Sequence, residues 1–141
     1  MRLIDQLIVN LIIVLSIVGI FCFIAATKKG ESAIKSRPYK RSSFTTEVCP
    51  KEALKVIIRY ALQTDYMIEA LDENQKWIVL GKPVTFTSWG FFFPIWITNH
   101  DNKSTLIDVG IQSKAAQIGV LVSRMHERFF NEIKAVFLVK F

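Results

Sequence analysis

Leu7 to Ala26 is an unbroken apolar run without a charged residue, and it governs how the rest of the chain can be arranged. Fourteen of its twenty residues are Leu, Ile, Val or Phe. As a helix rising about 1.5 Å per residue it reaches roughly 30 Å, the hydrocarbon thickness of a bilayer. A helix closes its backbone hydrogen bonds internally, so the β-branched run Ile12, Ile13, Val14 is no obstacle in lipid. Asn10 is the one strongly polar residue, and it lies near one end. A cleaved signal peptide has a shorter apolar core, about 7–15 residues, and small residues before its cleavage site. Phe23 to Ala26 does not present that pattern. The expectation is a retained single-pass anchor over residues 1–27. Gly19, Cys22 and Ala26 share one helical face, which lets a second copy approach in a homodimer, although a strict small-xxx-small repeat is missing.

The basic charge is local. The chain of 141 residues carries a formal net charge of +6. Residues 27–43 hold Lys28, Lys29, Lys35, Arg37, Lys40 and Arg41 against Glu31 alone. Residues 44–141 hold eleven Lys and Arg against ten Asp and Glu. Basic residues within about 15–20 positions of a span tend to stay cytoplasmic, so the C-terminal part is expected in the cytoplasm of a cell-membrane protein. The same six side chains are candidates for contact with anionic lipid headgroups, at about 1 kcal/mol each near the surface. Nucleic acid is not an expected partner, because residues 44–141 are nearly neutral and carry no binding motif. Gly30, Ser32, Ser36, Pro38, Ser42 and Ser43 give residues 28–43 the composition of a linker.

Residues 44–141 then form one domain. Phe44 to Val48 alternates like a short strand. Pro50 suits the first turn of a helix, and Leu54, Ile57, Ile58 and Ala61 follow with helical spacing to an end near Thr64 or Asp65. Strand-like runs come next at Tyr66–Leu71, Trp77–Leu80, Val84–Thr87, Phe91–Thr98 and Thr105–Ile111, separated by turn residues. Ile118, Leu121, Val122, Met125, Phe129 and Ile133 make the apolar stripe of a last helix, opposite Arg124, Glu127, Arg128 and Asn131. Residues 136–141 fit either the end of that helix or a further strand. The order β-α-β(4–5)-α predicts an α+β domain with helices on one face of an antiparallel sheet. In element order it resembles the helix-grip arrangement of START-type domains. The resemblance implies a fold and carries no function.

Phe91 to Thr98 exceeds what one buried face requires. Phe91, Phe93, Ile95 and Ile97 point one way, and Phe92, Pro94, Trp96 and Thr98 the other, where a half-exposed strand would be polar. Pro94 has no N–H for a ladder, which predicts an edge or bulged strand. The second aromatic face is explained by the chain covering itself, by an apolar ligand cavity, or by a contact patch for a partner or membrane interface. Trp89, Phe92 and Trp96 are the candidate partner or ligand contacts.

Reactive chemistry is sparse. His126 and Glu127 are helix neighbours that do not face each other, and both His126 and His100 read as solvated. No metal-ligand spacing, phosphate loop or cofactor motif occurs. Cys49 precedes a helix start, where a thiolate is stabilised, but has no base beside it in sequence. Asn102, Lys103, Ser104 is a glycosylation sequon that matters only in a secretory lumen. The expected function is a membrane-anchored binding or scaffolding domain without catalytic, metal or cofactor residues. The alternatives are a domain for a hydrophobic ligand and, ranked below it, an enzyme using Cys49 or His100.

Overall fold

The computed structural model describes residues 2–27, 29–36, 38, 40–83, 85, 90–115 and 119–139. Helix α1 is Leu3–Thr27 and α2 is Glu31–Ser36. Strand β1 (Arg41–Thr46) is followed by α3 (Pro50–Gln63). Then come β2 (Met67–Asp72), β3 (Trp77–Lys82), β4 (Phe91–Asn99), β5 (Thr105–Gly110), the short β6 (Gln112–Ser113) and α4 (Gly119–Leu138). The strands form one antiparallel sheet in the order β1-β5-β4-β3-β2, with β6 also on β4. This is the α+β architecture expected from the sequence, with an apolar helix in front of it.

Helices α3 and α4 cover the inner face of the sheet. Leu54, Ile57 and Ala61 of α3 are buried, as their spacing predicts, Ala53 is buried with them, and Ile58 is half-buried. From α4, His126, Phe129 and Ile133 are buried, while Arg124, Glu127, Arg128 and Asn131 face outward. The centre is aromatic: Phe93 stacks on Phe129 with ring centroids 4.1 Å apart, and Tyr66 meets the edges of both. Burying each such side chain contributes about 1.5–3 kcal/mol. The question left open at residues 136–141 resolves to helix as far as Leu138, where α4 ends, and residues 140 and 141 lie outside the described residues.

Two expectations are corrected. The stretch read as a linker contains α2 and the start of β1. Arg41, Ser42 and Ser43 have no apolar alternation to announce a strand, yet they pair with Gly110, Val109 and Asp108 of β5. Arg41 and Ser43 both donate to the Asp108 carboxylate, at 3.4 and 3.1 Å, so polar contacts hold the outer side of this edge strand. The second correction concerns Pro94, which lies in the central strand and not at an edge. Ile97 N–H donates to Lys76 C=O on the β3 side, so by strand alternation the Pro94 nitrogen faces β5. There the register sets Pro94 against Gly110, just where pairing lapses between β5 and β6. The missing donor therefore falls in a gap of the ladder. A Cβ at position 110 would lie 3.2 Å from the Pro94 ring, so glycine lets the two strands keep their spacing there. Of the run Val84–Thr87 only Thr85 is among the described residues.

One polar cluster joins α3, α4 and the start of β2. Tyr60 Oη donates to Glu132 Oε2 at 2.7 Å, Tyr66 Oη to the same oxygen at 3.2 Å, and Arg128 Nε to Oε1 at 3.1 Å. Partial burial and the neighbouring carboxylate push both tyrosines well above the ordinary phenol range. Burial pushes the Glu132 carboxyl up, but the bonds from Tyr60, Arg128 and Tyr66 outweigh it and hold the group below the usual range. A depressed carboxyl adds stability that is present above its unfolded value, about 4.3, and lost as pH falls through the folded one. The raised phenols add stability that is lost as pH climbs past their unfolded value near 10. Tyr60→Phe is expected to cost about 1–2 kcal/mol near neutrality. It should also flatten both limbs of the stability profile. Thermal melts of wild type and variant across pH check this, and parallel profiles would refute it.

Candidate functional site

The outer face of the sheet carries Phe92 and Trp96, two of the aromatic residues singled out above. Trp77, Val79 and Gly81 of β3 lie beside Phe92, Pro94 and Trp96 of β4, as the register dictates. The first part of this face is closed by the chain itself. Helix α2 lies over it, and Ala33, Val79 and Phe92 form a small second core, each fully buried, with Ile34, Ala70 and Trp77 at its margin. Phe92 therefore lies beneath α2 and not at the surface. Its burial answers why both faces of β4 are apolar: one packs on α3 and α4, the other on α2. Trp96 remains half-buried further along, with the Arg41 guanidinium carbon 6.0 Å from its ring centroid. Trp89 lies outside the described residues.

The approach of α2 is unusually close. A Cβ on Gly30 would sit 2.6 Å from the Glu69 Cβ, so only glycine brings the chain this near to β2. Glu69 in turn reaches Lys114, with Oε1 3.4 Å from Nζ. That ammonium also lies 4.9 Å from the Phe92 ring centroid. Lys114 is almost fully buried and Glu69 about a quarter exposed, so a charged pair sits under the aromatic ring at the edge of the docked helix. Sequence reasoning missed both residues, because 45 positions separate them.

The basic cluster divides in three dimensions. Lys29, Lys35 and Lys40 are exposed, and none makes an ion pair among the described residues. Arg41 is held by Asp108 at 3.4 Å. Lys28 and Arg37 lie outside the described residues. Helix α1 is exposed along nearly all its length, and Leu3–Ala25 is long and apolar enough to cross a membrane.

The reactive side chains are spread out. Cys49 is exposed at the N-cap of α3 and makes no side-chain cap bond. His100 is exposed in the β4–β5 turn, next to Asp101, whose carboxyl the backbone N–H groups of Lys103 and Ser104 hold below its usual range. Among the described residues no three His, Cys, Asp or Glu side chains converge for a metal ion. The reading of His126 as solvated is overturned. It is 2% exposed, stacks against Phe130, and its Nε2 donates to Val109 C=O at 3.0 Å. That partner lies seventeen positions back on another element, which no local sequence pattern signals.

No protein-family model and no curated protein matches the chain. Solved structures do. XoxI from Bacillus cereus is 8% identical, with 70% of this chain and 92% of that one covered and a TM-score of 0.55. An uncharacterised protein from Bacillus thuringiensis is 8% identical over 70% and 95% of the two chains, TM-score 0.52. Ara h 8.0201 is 12% identical over 70% and 93%, TM-score 0.51. At such identities the likeness is one of fold, and it establishes the helix-grip α+β arrangement for the larger part of the chain.

Proposed function

We propose that the chain is a single-pass membrane protein that holds a small helix-grip domain against the cytoplasmic leaflet, as a binding or scaffolding module and not as an enzyme. One observation carries this reading. A 25-residue apolar helix with its side chains exposed is joined, through three residues, to a helix docked on the sheet. Exposed Leu, Ile and Val in such number need an apolar solvent, and lipid is the one that fits a span of this length. Lys29, Lys35 and Lys40 add an attraction to anionic headgroups, screened by salt over about 10 Å at 0.1 M. The fold neighbours share the fold and name no ligand. An apolar ligand between sheet and α4 is the less favoured reading, because Phe93 and Phe129 fill the middle of that space ring on ring.

The test uses the full chain with a reporter after Phe141. Retention in the membrane after alkaline carbonate washing, at full length and with a cytoplasmic reporter signal, is the expected result. A released product lacking its first two dozen residues identifies a signal sequence and overturns the anchor. An external signal overturns the orientation.

A further inference from the structure

An open pocket of about 400 Å³ lies where β1 meets α4, lined by Lys40, Ser42, His126, Glu127, Phe130 and Asn131. Its volume falls within the range of small-molecule sites, about 300–1,000 Å³. His126 gives it a chemical direction. A carbonyl oxygen only accepts, so the bond to Val109 C=O fixes the proton of a neutral imidazole on Nε2. In that tautomer Nδ1 carries a lone pair, and it makes no hydrogen bond to another described residue. A buried ring with one nitrogen tied to the backbone and the other unused is oriented to accept from a ligand. The side chains around it are equally uncommitted. Among the described residues the side chains of Lys40, Ser42, Glu127 and Asn131 make neither hydrogen bonds nor ion pairs, although folding has brought all four to one opening.

We propose that this pocket binds a small zwitterion in which a primary amine is joined to an anionic group, the chemistry of phosphoethanolamine. The Lys40 ammonium takes the anionic group, and the Glu127 carboxylate balances the ligand's ammonium. An ammonium N–H donates to the bare Nδ1 of His126, while the Phe130 ring supplies an apolar wall for the carbon chain. Charge-assisted bonds of this kind are roughly twice as strong as neutral ones. A quaternary ammonium has no N–H to give, so phosphocholine is the matched ligand that should fail. The amine could be a free metabolite or a phosphatidylethanolamine headgroup, since Lys40 belongs to the basic segment that follows the apolar helix.

The full chain, ¹⁵N-labelled in detergent micelles free of phospholipid, provides the test. Added phosphoethanolamine is expected to move the His126 Nδ1 resonance saturably, and phosphocholine to leave it in place. Lys40→Ala, an exposed position, should weaken the effect about tenfold or more. His126→Gln should abolish binding, and because that variant touches the core, Lys40→Ala carries the test if it does not fold. Transfer to bilayer discs separates the sources. The same shift in phosphatidylethanolamine discs, absent in phosphatidylcholine discs, assigns a lipid headgroup. A shift with the soluble compound alone assigns a metabolite. No shift under any condition, equal shifts with both ligands, or indifference to Lys40→Ala overturns the site. The inference goes beyond the anchored reading, which would stand if this pocket proved empty.

Discussion

Phe129→Ala should lower stability by about 3–5 kcal/mol, the cost of emptying a core aromatic position. The ring is fully buried, stacks on Phe93 at 4.1 Å and meets Tyr66 at 5.0 Å, so two aromatic side chains lose a neighbour together. Phe93 cannot swing across to refill the space, because it sits on a central strand whose register fixes it against Leu80. For a domain near 100 residues each kcal/mol shifts the melting point by about 4–8 °C, so a fall of roughly 15–30 °C is expected in near-UV circular dichroism melts. Phe129→Leu keeps most of the volume and should cost much less, about 1–2 kcal/mol. A loss below about 1 kcal/mol for the alanine variant would mean that the helix does not seal the sheet at this point.

Glu69→Ala is expected to cost about 2–3 kcal/mol, because it leaves the Lys114 ammonium buried without its partner. The figure is set below the usual value for a fully buried pair, since Glu69 is partly exposed and solvent screens it. The cost should be local. Amide exchange should speed up in α2 and across Val79 and Phe92 while the α3–α4 side keeps its protection. Changing both partners, Glu69→Ala with Lys114→Met, should recover most of the loss, as a long apolar side chain can lie over Phe92 without a charge to satisfy. If the double variant is as unstable as the single one, the ion pair is not what holds this edge.

The larger periodicities were readable before any coordinates. Leu54, Ile57 and Ala61 repeat at helical spacing and are buried as the spacing requires. The alternation of Phe91, Phe93, Ile95 and Ile97 marks the inner face of β4. What local pattern cannot convey is which distant segment answers an unusual residue. Pro94 read as an edge residue because the rule concerns its own missing donor. Its tolerance at the centre depends on a lapse opposite, at Gly110. Phe92 read as a contact because nothing in the strand shows that Ala33, fifty-nine positions earlier, covers it. Residues 31–36 read as linker because six residues with one alanine and one isoleucine are too few to show a period. His126 read as solvated because its environment is a carbonyl on β5 and a ring on its own helix. The pocket beside it unites residues from both ends of the chain's C-terminal domain, which only folding brings together.

Only three residues lie between Thr27 and Glu31, so the Cα atoms of those two helix ends can be no more than about 15 Å apart. In the anchored reading this short leash changes the dimension in which the domain meets its ligands. It sweeps a thin shell above the bilayer and turns with the lipid, not freely in solution. Anything in the same leaflet would face it at an effective concentration on the order of millimolar. Even a weak pocket would then be occupied much of the time by what the membrane offers, and a soluble competitor would have to overcome that advantage.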